Sequence, residues 1–435
     1  MHISGRLAAA IEVITEVNDR HRPVNAALSD WGRAHRFAGS SDRAAIGNIV
    51  YDIMRQRAVL ASMMGSDAPR ALVLACAVGL MDITVEELAE LCVSRHGPGE
   101  LTAEETAALS RDLAPDAALH IQANIPEWLM PSFIKAFGDG AVRQGRALSA
   151  RAPVDIRANT LKTTREKLLN QLSKFDALEA PFAPDGIRIE VPDGLRRTPN
   201  LEAEPSFQRG AFEIQDAASQ VAARLCAVET GQQVADICAG AGGKTLALAS
   251  AMGNKGQIHA WDADKNRLKP IIARLNRAGV HNVQVVPADE PERLDELAGR
   301  MDRVLVDAPC SGSGSWRRKP DAKWRLTRES LVNRGVDQRA VLARAAPLVK
   351  PGGRLIYVTC SLLPEENTGQ VESFLASNAE FAVVPYADVW RDCLPGEPPA
   401  SSDGSTDTLL LSPADHNADG FFIAVMRRND SAPSD

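Results

Sequence analysis

The stretch Asp236-Ile237-Cys238-Ala239-Gly240-Ala241-Gly242-Gly243-Lys244-Thr245 decides the fold class. An apolar, β-rich run, Val234 to Cys238, feeds a glycine-rich turn, and a helical stretch follows. Glycines let a ligand approach the main chain, and the helix start offers free amides and the positive end of a dipole. Outward from this stretch, similar short runs recur at Gln257 to Asp262, Val283 to Pro287, Arg303 to Asp307 and Arg354 to Thr359, with a last one at Gly420 to Arg427. Helical stretches such as Lys265 to Ala278 and Thr327 to Val349 lie between them. This alternation predicts an α/β domain with a mostly parallel, doubly wound sheet over residues 211–428.

Upstream the pattern changes. In residues 126–210, Val154-Asp155-Ile156-Arg157 alternates like a strand, Thr164 to Phe175 is helical, and Gly186 to Val191 alternates again. This predicts a small α/β module. Residues 1–125 read as all helix: Leu7, Ile11, Ile14 and Val17 recur at helical spacing, Asp42 to Leu60 behaves likewise, and Ala71 to Met81 is apolar all round, as a central buried helix would be. Leu394 to Ser405, rich in Pro, Ser and Gly, reads as a mobile loop, and residues 429–435 as a tail. A length of 435 residues accommodates roughly three such domains.

Composition excludes several classes. Apolar residues at 45% and charged residues at 24% are ordinary for a soluble globular chain. The longest apolar run, Ala71 to Met81, is about half of a bilayer span, and Met1-His2-Ile3-Ser4-Gly5-Arg6 has no secretory character, so no membrane partner is expected. Seven cysteines without a Cys-x-x-Cys pair argue against a disulfide framework and a zinc site; a cytoplasmic protein with no metal is expected. The net charge of −7 argues mildly against nucleic acid, but it hides a local excess. Arg303 to Lys350 holds eleven Lys/Arg against four Asp/Glu, whereas Tyr386 to Asp435 holds three against nine.

Three ligands compete for the glycine turn. A nucleoside triphosphate is suggested by Gly243-Lys244-Thr245 and by Val304-Leu305-Val306-Asp307, but Cys238 stands where a P-loop has its first glycine. A dinucleotide is suggested by Gly240-x-Gly242, but Thr245 replaces the third glycine. S-adenosylmethionine needs no phosphate site. Its ribose asks for a carboxylate at the end of the next strand, where Asp262 stands, and Asp289, past the third strand, is placed for the adenine amino group. Asp262 alone does not separate this donor from NAD, and each Asp also reads as a strand-end or N-cap residue.

Two further turns narrow the choice. Asp307-Ala308-Pro309-Cys310-Ser311-Gly312-Ser313-Gly314 follows the fourth strand, and Tyr357-Val358-Thr359-Cys360-Ser361 ends the fifth. Ligands of doubly wound sheets bind beyond the carboxyl ends of the strands. Cys76, Cys92, Cys226 and Cys393 read as small buried hydrophobes. Two cysteines in polar turns at neighbouring strand ends fit that reading poorly. They suit attack on a pyrimidine: a thiolate adding to carbon 6 of cytosine makes carbon 5 nucleophilic enough to take a methyl group. Such a site should favour the thiolate, and Asp307 is placed to protonate or hydrogen-bond ring nitrogen 3 and the exocyclic amine. Residue chemistry does not decide which cysteine attacks.

The sequence resembles the RsmB-type (Sun/Fmu) RNA (cytosine-5)-methyltransferases. The resemblance is carried by Arg157-Ala158-Asn159-Thr160-Leu161-Lys162, by Gly210 to Ser219, by Cys238 to Lys244 (with Ala241 where many members have Pro), by Thr359-Cys360-Ser361 with Pro364-Glu365-Glu366-Asn367, and by Asp419-Gly420-Phe421-Phe422. It implies a Rossmann-like methyltransferase domain with S-adenosyl-L-methionine as cofactor. It implies Cys360 as nucleophile, Cys310 as the residue that assists product release, and a donor and cytosine pocket lined by Cys238, Ala239, Gly240, Ala241, Gly242, Gly243, Lys244, Asp262, Asp289 and Asp307. Asp42-Arg43-Ala44-Ala45-Ile46 is similar to the NusB-type helical RNA-binding domain. The implied substrate is small-subunit rRNA, with tRNA as the alternative; a monomer is favoured. Arg157, Asn159 and Lys162 are expected to contact RNA. So are Arg317, Arg318, Lys319, Lys323 and Arg325, which lie between Trp316 and Trp324 or beside them, since phosphates want cations and unstacked bases want aromatic faces. The rivals are a P-loop nucleotide hydrolase and a non-catalytic RNA-binding scaffold.

Overall fold

The computed structural model describes residues 1–111, 117–190 and 199–430; Val191, the last residue of the second alternating run, and residues 431–435 of the expected tail lie outside the described residues. The chain divides into two compact units.

The helical unit comprises Met1–Arg151 together with Trp316–Leu326. Its core is the stripe read from the sequence: Leu7, Ile14 and Val17 on the helix Ile3–Arg20, Ile46, Val50 and Ile53 on Ser40–Met64, and Leu72 to Ala77 on Pro69–Met81. The last helix starts at Pro69, whose missing N–H would be unpaired there anyway. It is not buried throughout, because Leu80 in its last turn is exposed. The unit runs past the expected boundary at 125. Asn124 explains why: its buried side chain accepts from the Ala58 amide at 2.9 Å and donates to Ser149 Oγ at 2.8 Å, closing residues 119–150 onto the long helix.

The segment Trp316–Leu326 departs most from the sequence reading. Trp316 is fully buried and stacks on Phe133, with ring centroids 6.4 Å apart. Trp324 donates its indole N–H to Met54 O at 2.7 Å. Lys323 is fully buried; its ammonium donates to Asn124 O at 2.5 Å, and burial pulls its pKa down to about 7. Arg317 is buried as well, and Arg325 pairs with Asp321 at 3.1 Å. The expected RNA contacts Arg317 and Lys323 and the two stacking tryptophans are therefore corrected to packing anchors. Arg318 is half-buried, and Lys319 and Arg325 keep exposed surface.

The α/β unit holds two sheets. The smaller is antiparallel and contains β1 (Val154–Ala158), β2 (Leu178–Glu179), β3 (Gly186–Ile189) and β4 (Phe212–Ile214) in the order β2-β3-β1-β4. It thus draws a strand from beyond residue 210. The larger sheet contains β5 (Gln233–Asp236), β6 (Gln257–Ala260), β7 (Val283–Val285), β8 (Met301–Asp307), β9 (Val349–Thr359), β10 (Phe381–Val384), β11 (Leu409–Leu411) and β12 (Phe421–Arg428). Its order is β10-β12-β9-β8-β5-β6-β7, with β11 paired to β12. Strands β5 to β9 pair in parallel and β10 to β12 pair antiparallel, so the sheet is doubly wound with an antiparallel flank. The expected helix Lys265 to Ala278 is split into Lys265–Leu268 and Ile271–Ala278 by Pro270, which has no N–H to continue the ladder.

Three more expected RNA contacts are engaged inside the α/β unit: Arg157 within the small sheet, and Asn159 and Lys162 between that sheet and the helix Ile271–Ala278. Arg157 is buried and donates to Gln215 Oε1 at 2.7 Å, and burial brings its pKa down to about 10. Asn159 is buried and donates to Gly210 O and Ala278 O, both at 2.8 Å. The Lys162 ammonium caps Arg209 O and Arg277 O at 2.9 and 2.6 Å, although its stem is exposed. The stretch Leu394 to Ser405 is tied down rather than mobile: Pro399 O accepts from the Tyr386 hydroxyl, Gly396 O from the Trp390 indole, and Ser401 Oγ from the Leu410 amide. No single helix among the described residues is long and apolar enough to cross a bilayer.

Candidate active site

Parallel pairing of β5 to β9 brings their carboxyl ends to one edge of the sheet. Register places Asp236 of β5 beside Ala260 of β6 and Leu305 of β8, and Asp307 of β8 beside Val358 of β9. The turns that carry Cys238, Asp262, Asp307, Cys310 and Cys360 therefore lie along this edge.

The turn after β5 is stitched to the end of β6: Ala239 N donates to Trp261 O, and Trp261 N to Asp236 O. Gly240 and Gly242 have φ of +51° and +85°, and a Cβ at Gly242 would stand 2.6 Å from Ile271 Cγ1. Glycine is required there on both counts. Ala241 turns its carbonyl to Arg274 Nη1 at 2.8 Å. Gly243, the first residue of the helix Gly243–Ala251, faces open space. Asp262 is buried, and its two oxygens accept from Gly240 N at 2.9 Å and Asp264 N at 2.8 Å. Asp289 lies exposed in the turn after β7.

These residues fit an adenosyl donor. A main chain bare of side chains, a helix N-terminus and a carboxylate fixed at the next strand end are what a neutral ribose and a sulfonium chain require. They do not fit a triphosphate. The buried Cys238 side chain sits in the turn, and Lys244, which a phosphate would need, is already engaged by Asp307 Oδ2 at 2.6 Å and lies 5.0 Å over the Phe421 ring. Lys244 thus locks the cofactor helix to the end of β8, a role the sequence left open. Asp236 lies beneath it. It accepts from Thr245 Oγ1 at 2.7 Å, and burial pushes its carboxyl up to about 7.

The two cysteines converge. Cys310 Sγ and Cys360 Sγ are 3.3 Å apart, both half-buried. Gly314 N donates to Cys360 O, Gly420 N donates to Gly314 O, and a Cβ on Gly314 would meet Gly420 O at 2.1 Å, so only glycines allow this approach. The hydrogen bond with Cys360, then burial, raises the Cys310 thiol well above its ordinary range. By contrast Cys76, Cys92 and Cys226 are buried with raised pKa values, and Cys393 packs on the sheet core.

Sequence reasoning missed one residue. Glu366 is fully buried and accepts from Ser311 N, Ser311 Oγ, Ser361 Oγ and Gln338 Nε2, so it touches the neighbour of each cysteine. Its signal was present in Pro364-Glu365-Glu366-Asn367, but nothing local assigns that glutamate a partner. Among the described residues no cluster of three His, Cys, Asp or Glu is placed to hold a metal ion.

Comparison with known proteins agrees with this geometry. Residues 223–427 match the family described as 16S rRNA methyltransferase RsmB/F, and residues 125–195 match the RsmF/B-like ferredoxin-like domain. The probable ribosomal RNA small subunit methyltransferase B of Synechocystis is 32% identical over 312 residues, 71% of this chain and 67% of that protein. The chain thus spans about two thirds of the length of the curated relatives it matches. The crystal structure of PH0851 superposes with a TM-score of 0.74 at 26% identity, covering 98% of this chain and 99% of that one. A methyltransferase homolog from Pyrococcus horikoshii gives 0.59 at 29% identity, covering 73% and 100%. With the glycine turn, the Lys244–Asp307 pair and the paired thiols at one sheet edge, the chain belongs to the RsmB/F methyltransferase family.

Proposed function

We propose that this protein methylates carbon 5 of a cytosine in small-subunit rRNA. The 3.3 Å separation of the Cys310 and Cys360 sulfurs, at the strand ends beside the cofactor turn, carries the reaction class. The relatives named ribosomal RNA small subunit methyltransferase B support the substrate. S-adenosyl-L-methionine is the cofactor; it supplies an electrophilic methyl group on a sulfonium sulfur. Gly240, Gly242, Gly243 and Asp262 would hold it, and Asp289 would be available to its adenine amino group.

Cys360, the nucleophile that the family resemblance implies, is the attacking sulfur, and Cys310 is its neighbour at 3.3 Å. The Cys360 thiolate bonds to carbon 6, and the ring electrons gather on carbon 5, which takes the methyl group. Asp307, paired with Lys244, would accept from the exocyclic amine of the cytosine. Once the Cys360 sulfur is bonded to carbon, Cys310 gives its proton to solvent. The Cys310 thiolate then takes the carbon 5 proton, the carbon 5–carbon 6 double bond re-forms, and Cys360 leaves as thiolate. The target base must be single-stranded or flipped to reach these sulfurs.

Transfer of tritiated methyl from S-adenosylmethionine to bulk rRNA, with bisulfite sequencing of rRNA and tRNA from a deletion strain, tests this reading. Loss of one 5-methylcytosine in small-subunit rRNA is expected. Loss in tRNA alone would move the substrate to tRNA. Unchanged sites in both, with binding of ATP and magnesium but not of S-adenosylmethionine by calorimetry, would revive the hydrolase.

A further inference from the structure

The two thiols lie on separate loops, and something must keep those loops in register while a base enters and leaves. We infer that Glu366 is the positioning residue that clamps the Cys310 loop to the Cys360 loop, so that Cys310 stays within reach of the covalent adduct and releases it. The inference rests on the cytosine-5 reading above.

Glu366 Oε1 accepts from Ser311 N at 2.7 Å and Gln338 Nε2 at 3.1 Å; Oε2 accepts from Ser311 Oγ and Ser361 Oγ. An ionised carboxylate offers about four acceptor sites, and all four are filled. Ser311 follows Cys310 and Ser361 follows Cys360, so one side chain bonds the immediate neighbour of each thiol. Gln338, on the helix Arg328–Ala345, also donates to Pro309 O at 2.9 Å and fixes the other side of the Cys310 loop. The main chain of the clamp is rigid in turn. Tyr357 Oη of β9 donates to Glu366 O at 2.7 Å, and Asn367 donates to Ser361 O at 2.9 Å while accepting from Thr359 Oγ1 at 2.6 Å. All four donors to the carboxylate are uncharged, and burial raises its pKa. A buried acid without a cation is an expensive way to pack a loop; it is explained if two loops must be held to a fixed spacing.

Glu366→Gln tests this in the full-length protein. The amide replaces one acceptor oxygen by a donor, so either the bonds from Ser311 N and Gln338 Nε2 break or both serine hydroxyls must turn from donor to acceptor. Turnover on rRNA is expected to fall roughly 100-fold, the scale of a reacting group displaced by about 1 Å. A covalent protein–RNA band should also accumulate on denaturing gels with unmodified RNA, as expected for Cys310→Ala, because attack survives and release does not. A purely structural role would lower turnover and the melting temperature without that band. Wild-type turnover in E366Q, or lost turnover with no band where C310A gives one, overturns the inference. If C310A gives no band on RNA that the wild type methylates, the release role assumed here fails and the inference falls with it. Ser311→Ala removes one donor to the clamp and serves if E366Q does not fold: a weaker band in the same direction supports the clamp, and wild-type behaviour overturns it.

Discussion

Residues 307–315 and 316–326 are consecutive in the chain, small residues followed by cations and tryptophans, and they belong to different units and do different work. The first is a polar turn whose carboxylate and thiol are only half-buried and whose hydroxyls and amides meet Glu366. The second is a core plug, with Trp316 and Lys323 fully buried. Two lysines make the same contrast. Lys244 is buried against the Asp307 carboxylate, which neutralises it at the site. Lys323 is buried against the neutral oxygens of Asn124 and Ser149, and its pKa falls to about 7. A cation next to an aromatic residue is therefore not yet a nucleic-acid contact; the group that fills the other side decides.

Breaking the first region should have the largest effect. Cys360→Ala is expected to lower methyl transfer by roughly 10⁴-fold or more, the scale of removing a nucleophile, with donor binding unchanged by calorimetry; full activity in the tritium assay would remove Cys360 from the reaction. In the second region, Trp316→Ala should destabilise the helical unit by about 3–5 kcal/mol, as for a large aromatic removed from a core, read from urea unfolding. A change under about 1 kcal/mol would contradict its role as a plug.

The Lys323 contrast is sharpened by pH. Its folded pKa of about 7 lies below the unfolded value, so between about pH 7 and 10 the unfolded chain binds more protons. This lysine's contribution therefore rises with pH across that window and is smallest below pH 7. Lys323→Met should flatten the rise in urea midpoint between pH 7 and 9, and an unchanged slope would assign it to other groups. The smallest effect belongs to the exposed end of the segment. Lys319→Ala should weaken RNA binding and reduce the salt slope by about 1, whereas Lys323→Met should leave that slope unchanged. Equal slopes for both variants would make Lys319 a packing residue too.

What was legible in the sequence follows from local physics. A strand, a glycine turn and a helix at Val234 to Thr245 announce themselves because periodicity and the need for glycine act over a few residues, and the carboxyl-edge rule then brings Asp262, Asp307, Cys310 and Cys360 together. The antiparallel small sheet and the split at Pro270 were visible only in part, since neighbouring strands and tertiary packing set element limits. The motif Arg157 to Lys162 reads as RNA-facing, yet its polar atoms are spent on Gln215, Gly210, Ala278, Arg209 and Arg277.

By itself, then, the order of residues determined the doubly wound class, the cofactor turn and the presence of two thiols at neighbouring strand ends, because each is a property of short range along the chain. Only the tertiary structure decided that the thiols stand 3.3 Å apart, that Glu366 joins their loops and that Lys323 is core rather than surface. Those facts depend on contacts between residues 50 to about 200 positions apart, and no local pattern encodes which distant group will supply the other half of a hydrogen bond.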